Sequence, residues 1–248
     1  MDFTSPIPEG PLPEVAGREE VRFEKSHPLV PQLPCMWNII GPTGTGKSTV
    51  LVKLLTTPGA WLGKFDRIIY FVPTFFVDKQ WALLKVKNPE DCVFTNWDDQ
   101  TVMMVHNKIK AEGATNLDNK KRQPATLLIF DDSAGLQRSG PKMNAVDVIM
   151  ALDRKLNVSV ANLVQKWKTN LGSATRYNAT HTSIFRLQSR DELQDILKEL
   201  CPPDIPYSAF IKMYLDSVMS GLGGFFHISR FSPVGARFSA GFNKVYTL

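Results

Sequence analysis

An α/β fold, with a mostly parallel sheet and helices on both faces, is the architecture this 248-residue sequence predicts. Three observations predict it. Short apolar runs alternate with stretches of helical spacing. The apolar run at 35–40 ends in a glycine-rich turn that opens one of those helices. A second apolar run, 125–130, ends in two adjacent aspartates.

Residues 1–34 hold seven of the 17 prolines, and proline fixes φ and donates no hydrogen bond, so this segment reads as an extended arm. The remainder, 35–248, reads as one domain. Residues 35–40 are a buried strand. Residues 47–57 carry Val50, Leu51, Leu54 and Leu55 on one helical face and stop before Pro58-Gly59. Residues 66–72 are a second strand, closed by Pro73. A helix is predicted over 75–86, a short strand over 92–94, and a helix over 98–111 with aspartates at its start, where the helix dipole favours them. Residues 113–124 read as a polar loop, 125–130 as an apolar strand and 143–156 as a helix. Strands follow at 157–164 and 181–187. The helix predicted over 189–200 has Ser189 as N-cap and Glu192 three residues on, a capping box. A helix over 207–220 and strands over 224–230 and 236–246 complete the chain.

Composition narrows the function classes. Hydrophobic residues make up 43% and charged residues 21%, enough for a sizeable core. No apolar run approaches the roughly 18 residues of a membrane span. The N-terminus is acidic and proline-rich where a signal peptide is basic and then apolar. Cys35, Cys92 and Cys201 are far apart, with no metal-ligand spacing, which points to a reducing compartment and away from a zinc site. The net charge is +5. In the first 34 residues Arg18, Arg22 and Lys25 stand against Asp2, Glu9, Glu14, Glu19, Glu20 and Glu24, a net of −3, so the rest carries +8. A basic body suits a nucleic-acid partner.

The chemistry concentrates in two segments. Gly41, Pro42, Thr43, Gly44, Thr45, Gly46, Lys47 and Ser48 fit the GxxxxGK[ST] pattern between a strand and a helix, with Thr49 following. Such a loop turns consecutive N–H groups toward phosphate oxygens, and the helix N-terminus adds positive potential. Lys47 then reaches the terminal phosphates of a nucleotide such as ATP, and the Ser48 hydroxyl is a ligand for Mg²⁺. The strand at 125–130 delivers Asp131 as a second metal ligand and Asp132 to orient the attacking water. Residues 157–165 form a third strand whose terminal Gln165 faces the ligand crevice of such a sheet.

Taken together, GPTGTGKS, LLIFDD, DRKLNVSVANLVQ and RYNATHTSIFRLQSRDE resemble the FtsK/HerA superfamily of ring translocases, most of all the poxvirus-type genome-packaging ATPases and their relatives in virophages and small DNA viruses. The likeness spans about 36–199. It implies a RecA-like core, ATP hydrolysis with Mg²⁺, and a homo-oligomeric ring of five or six subunits. It also implies double-stranded DNA and capsid vertex proteins as partners, with no membrane, at the site of virion assembly in the infected cell. Lys47, Ser48, Asp131, Asp132 and Gln165 are its nucleotide residues. Arg154, and after it Arg176, match the arginine that acts on a neighbour's nucleotide. Asp132 departs from the glutamate of much of the superfamily. DNA gripped through its phosphates needs basic loops. The candidates are Lys120, Lys121 and Arg122, then Arg138 and Lys142, and third Lys166 and Lys168. A small-molecule P-loop kinase and a nucleotide-regulated scaffold are the competing readings.

Overall fold

A computed structural model of the chain describes residues 29–131, 144–152, 156–219, 221, 223–232 and 234–247. Its strands are β1 (Met36–Ile40), β2 (Arg67–Phe71), β3 (Val93–Phe94), β4 (Thr126–Asp131), β5 (Val158–Val164), β6 (His181–Phe185), β7 (Phe225–Ser229), β8 (Phe238–Ala240) and β9 (Lys244–Val245). Its helices are α1 (Lys47–Thr56), α2 (Pro89–Cys92), α3 (Asp99–Asp118), α4 (Ala145–Leu152), α5 (Trp167–Asn170), α6 (Ser173–Asn178), α7 (Arg190–Leu200) and α8 (Tyr207–Val218). The described strands form one sheet in the order β3-β2-β4-β5-β1-β6-β7-β8-β9. Pairing is parallel from β3 to β6 and antiparallel from β6 to β9.

The central strands are buried on both faces, which is why β1, β5 and β6 lack the apolar–polar alternation of a half-exposed sheet. On one face Leu51, Val52, Leu54 and Leu55 of α1 pack with Trp37, Ile39, Leu127, Leu163, Trp61 and Trp81. On the other face are two clusters. One joins Val102, Val105 and Ile109 of α3 and Ile149 of α4 to Met36, Leu128, Phe130 and Val160. The second joins Ile196 of α7 and Phe210 and Tyr214 of α8 to Ile40, Val164, Ile184 and Phe226. The predicted class holds, with a C-terminal antiparallel extension.

Several boundaries differ from the sequence reading. Leu29, Val30 and Leu33, inside the expected arm, are buried beside Trp61, whose Nε1 donates to the Pro31 carbonyl at 3.1 Å. The helix expected over 75–86 is instead a series of turns and a 3₁₀ segment, Trp81–Leu84. Its backbone closes locally, as in Val77 N to Thr74 O (3.0 Å), and Asp78 Oδ1 accepts from Gln80 N (2.9 Å). α3 runs past Gly113, where a Cβ would meet Gln123 and Leu156 at 3.4 Å, an ordinary contact. The loop expected over 113–124 is therefore only its second half. The strand expected over 236–246 is broken by a turn at Gly241 into β8 and β9. Ser189 caps α7 as expected, accepting from Glu192 N at 3.3 Å.

Candidate functional site

The loop 41–46 connects β1 to α1 at the C-terminal edge of the parallel strands, where open α/β sheets place their ligand crevice. Two glycines are set by geometry. Gly46 has φ 100°, a left-handed conformation that favours glycine, and it begins α1. A Cβ on Gly41 would stand 2.7 Å from Phe185 Cβ and 2.8 Å from Thr45 Oγ1, so only hydrogen fits between loop and β6. Thr45 Oγ1 fastens the loop by donating to the Pro42 carbonyl at 2.8 Å.

Lys47 is 8% exposed, and its ammonium donates to the carbonyls of Gly41 (2.7 Å) and Pro42 (3.0 Å). Ser48 Oγ donates to Asp131 Oδ2 at 3.3 Å, bringing together two residues 83 positions apart. A hydroxyl and a carboxylate at this range are the hard oxygen donors that Mg²⁺ takes, so the residues present fit that ion.

β5 lies between β1 and β4, in register with both: Ile40 with Val164, and Asp131 with Leu163. Gly41 N donates to the Val164 carbonyl at 3.1 Å, so the loop is hydrogen-bonded to the residue preceding Gln165. This order places Gln165 between the loop and Asp131. A cleft of about 510 Å³ is lined by Thr43, Lys47, Ser48, Asp131 and Gln165. Thr74, Val77, Asp78 and Gln80 close its far side. These four went unrecognised in the sequence, although β2 is parallel to β4 and the loop after it must emerge at the same edge.

A second cleft of about 760 Å³ opens on the other side of the loop. Thr49, Val50, Lys53, Phe185, Arg186 and Met219 line it, together with the backbone of Gly221 and Gly223. The Gly221, Gly223 and Gly224 cluster was the available sequence signal for it.

The remaining expected residues are dispersed. Asp132, Arg138, Lys142 and Arg154 lie outside the described residues. Arg176 sits on α6, with Nε donating to Glu199 Oε1 at 2.9 Å, Nη1 to the Leu171 carbonyl at 2.8 Å, and its guanidinium 5.8 Å from the Trp167 ring centroid. It is held by its own chain. Lys120, Lys121 and Arg122 precede β4, at the opposite edge of the sheet from the glycine-rich loop. At about 3.3 Å per residue, the six residues of β4 separate the two ends by roughly 17 Å. Arg122 Nη2 donates to Asp66 Oδ2 at 2.8 Å, which fastens this loop to the start of β2. Lys166 is exposed just beyond Gln165, and Lys168 pairs with Asp195 on the surface. Among the described residues no cluster of His, Cys, Asp and Glu could hold a further metal ion, and no helix is long and apolar enough to cross a membrane.

The fold matches solved structures of viral and bacterial ATPases. The DNA-packaging ATPase B204 of Sulfolobus turreted icosahedral virus is 15% identical, with a TM-score of 0.57 over 84% of this chain and 96% of that one. The genome packaging NTPase B204 of Sulfolobus turreted icosahedral virus 2, solved with ATP-gammaS, is 16% identical, with a TM-score of 0.54 over 82% and 94%. EssC (ATPases 2 and 3) of Geobacillus thermodenitrificans is 9% identical, with a TM-score of 0.53 over 86% of this chain and 40% of that one. No curated protein matches significantly in sequence. The model of the poxvirus A32 protein family matches residues 20–201, a span that contains the glycine-rich loop, Asp131, Gln165 and six of the nine described strands, and the chain belongs to that family.

Proposed function

We propose that this protein is an ATP-driven translocase that works as a ring of five or six copies and drives double-stranded viral DNA into a preformed capsid through its vertex proteins. The observation that carries this reading is the interposition of β5. It sets Gln165 between the Lys47–Ser48 loop and Asp131, in a member of the poxvirus A32 family whose fold is shared with packaging ATPases.

In this reading the loop N–H groups and the N-terminus of α1 cradle the phosphates, while sugar and base extend into the second cleft. Lys47 exchanges the Gly41 and Pro42 carbonyls for terminal phosphate oxygens. Ser48 and Asp131 hold Mg²⁺, which neutralises charge on those phosphates when bound. Asp132 accepts a proton from the attacking water, and Gln165 orients that water from the adjacent strand. An arginine supplied by the neighbouring copy completes the site. Arg154 is the proposed residue, because using Arg176 would first require breaking its bonds to Glu199 and Leu171. Proposed phosphate contacts to DNA are Lys120, Lys121 and Arg122, on the edge remote from the nucleotide, with Arg138 and Lys142. The body 35–248 forms the motor, with Leu29, Val30 and Leu33 of the preceding arm packed into its core.

The test is ATP hydrolysis with and without double-stranded DNA across protein concentration, with Lys47→Ala as the blank. A rate that rises with DNA and steepens with concentration supports the ring translocase. A rate indifferent to both, yet lost in the blank, supports a small-molecule kinase or a nucleotide-regulated scaffold instead. Charge reversal at Lys120, Lys121 and Arg122 should lower the DNA-stimulated rate and spare the basal rate. If both fall together, or neither falls, those residues are not the DNA grip.

A further inference from the structure

A row of buried polar side chains divides the two apolar clusters on the α3–α8 face of the sheet. Asn38 of β1 stands in register with Asn162 of β5 and Thr182 of β6, and all three are buried. On either side along the same face the residues are apolar: Met36 and Val160 toward one cluster, Ile40 and Val164 toward the other. Thr175 of α6 meets this row, since Asn38 Nδ2 donates to its carbonyl at 3.3 Å. The Oδ1 atoms of Asn38 and Asn162 accept no hydrogen bond from another residue, an unfavourable arrangement for buried amides. An all-apolar row would avoid it.

Asp147 of α4 closes the row. It is 2% exposed, and its Oδ1 accepts from both Thr175 N (3.0 Å) and Thr175 Oγ1 (2.5 Å). The fit admits nothing larger: a Cβ on Gly172 would fall 1.9 Å from Asp147 Oδ1. α4 is the next described element after Asp131. Thr175 belongs to the helical segment that follows Gln165. From its other side, α7 grips that segment: Glu192 Oε1 accepts from Trp167 N (2.9 Å), and Glu199 accepts from both Trp167 Nε1 (2.8 Å) and Arg176 Nε (2.9 Å). Thr175 is thus the point at which the segment after Gln165 is joined both to the strand leading into the nucleotide loop and to the helix that follows Asp131.

We infer that Asp147 is a positioning residue for hydrolysis, acting through Thr175 to hold the segment that follows Gln165 in place against β1 and α4. The inference rests on the proposed hydrolytic reading of the nucleotide cleft. Neither Asp147 nor Thr175 lines the cleft, so nucleotide binding does not depend on them directly, whereas the alignment of water and metal groups does.

Thr175→Val removes only the hydroxyl donor at nearly constant volume, and Thr175→Ser restores it. Thr175→Val should lower kcat by about 10-fold, within the roughly 10²-fold that a 1 Å misplacement at a reacting centre costs. KM for ATP should stay within about twofold, a binding change of less than half a kcal/mol by the 1.4 kcal/mol-per-decade relation. Thr175→Ser should recover most of the rate. Hydrogen exchange supplies a readout that needs no turnover. In the wild type the amides of 144–152 and 166–178 should open together, and in Thr175→Val separately. An unchanged kcat, a rate loss that merely follows the loss of folded protein, or exchange of the two segments unaltered by the substitution overturns the inference. If the wild type itself does not hydrolyse ATP, the functional reading fails, and exchange alone still decides whether Asp147 couples the two segments.

Discussion

Acidification should destabilise this fold steeply, through two imidazoles sealed between β6 and β7. His181 and His227 stack with ring centroids 5.4 Å apart and planes at 14°. Both are buried, and among the described residues neither ring pairs with a carboxylate. Trp37 Nε1 donates to Ser183 Oγ at 3.0 Å, and that hydroxyl lies 2.8 Å from His227 Nδ1. Burial pushes the His181 pKa down to about 3. Burial, and then the neighbouring His181, drive His227 well below its ordinary value. Both rings are therefore neutral in the native state at pH 7, while each titrates near 6.5 in the unfolded chain. Below about pH 6.5 the unfolded state binds protons that the native state refuses, so stability falls progressively toward pH 3. At about pH 5 the cost from His181 is ~2 kcal/mol, from 1.36 kcal/mol per pH unit, and His227 adds to it in the same direction. That is a large share of a typical 5–15 kcal/mol total. Urea midpoints at pH 7 and pH 5 read it directly. His181→Val should lose about 2 kcal/mol less across this interval than the wild type does. Equal losses in the two proteins would refute the reasoning.

Two further outcomes follow from packing. Gly41→Ala forces Phe185 or Thr45 to move and should cost about 1–3 kcal/mol of stability, read as a lower melting temperature; an unchanged melting temperature would mean that the loop relaxes freely. Glu199→Ala leaves Trp167 Nε1 and the Arg176 guanidinium, whose side chain is 13% exposed, without their shared acceptor. It should cost about 1–3 kcal/mol by denaturant titration, and a loss near zero would show that Arg176 is not structurally committed.

The turn at 41–46, the strand ending at Asp131 and the cap of α7 were legible in the sequence because each is local: a few consecutive residues specify the turn, the strand end or the cap. Gln165 was legible only as a polar strand end. Its place between β1 and β4 depends on strand order, which no window of sequence contains. The segment 75–86 has apolar residues at helical spacing, yet only Phe75 and Trp81 bury theirs, while Phe76, Val77 and Leu83 remain exposed. The spacing reflects a loop with two anchors. Gly113 suggested a helix end, but α3 continues through it to Asp118, held on the core by Val102, Val105 and Ile109. The Lys120–Arg122 loop was visible as charge, while its place on the far edge follows from the direction of β4. Asp147 gave no signal at all, because a single acid in an apolar helix looks the same whether it faces water or Thr175.

The sheet's two outermost described strands, β3 and β9, are only two residues long, and β9 carries Lys244 on its exposed side. Edges this short, one of them charged, give another chain too little unpaired backbone to add a strand. Among the described residues, then, β3 and β9 offer little backbone by which copies of this protein could continue one another's sheet. Contacts made through the described helices and loops, by contrast, can slide and re-form without unzipping a β-ladder.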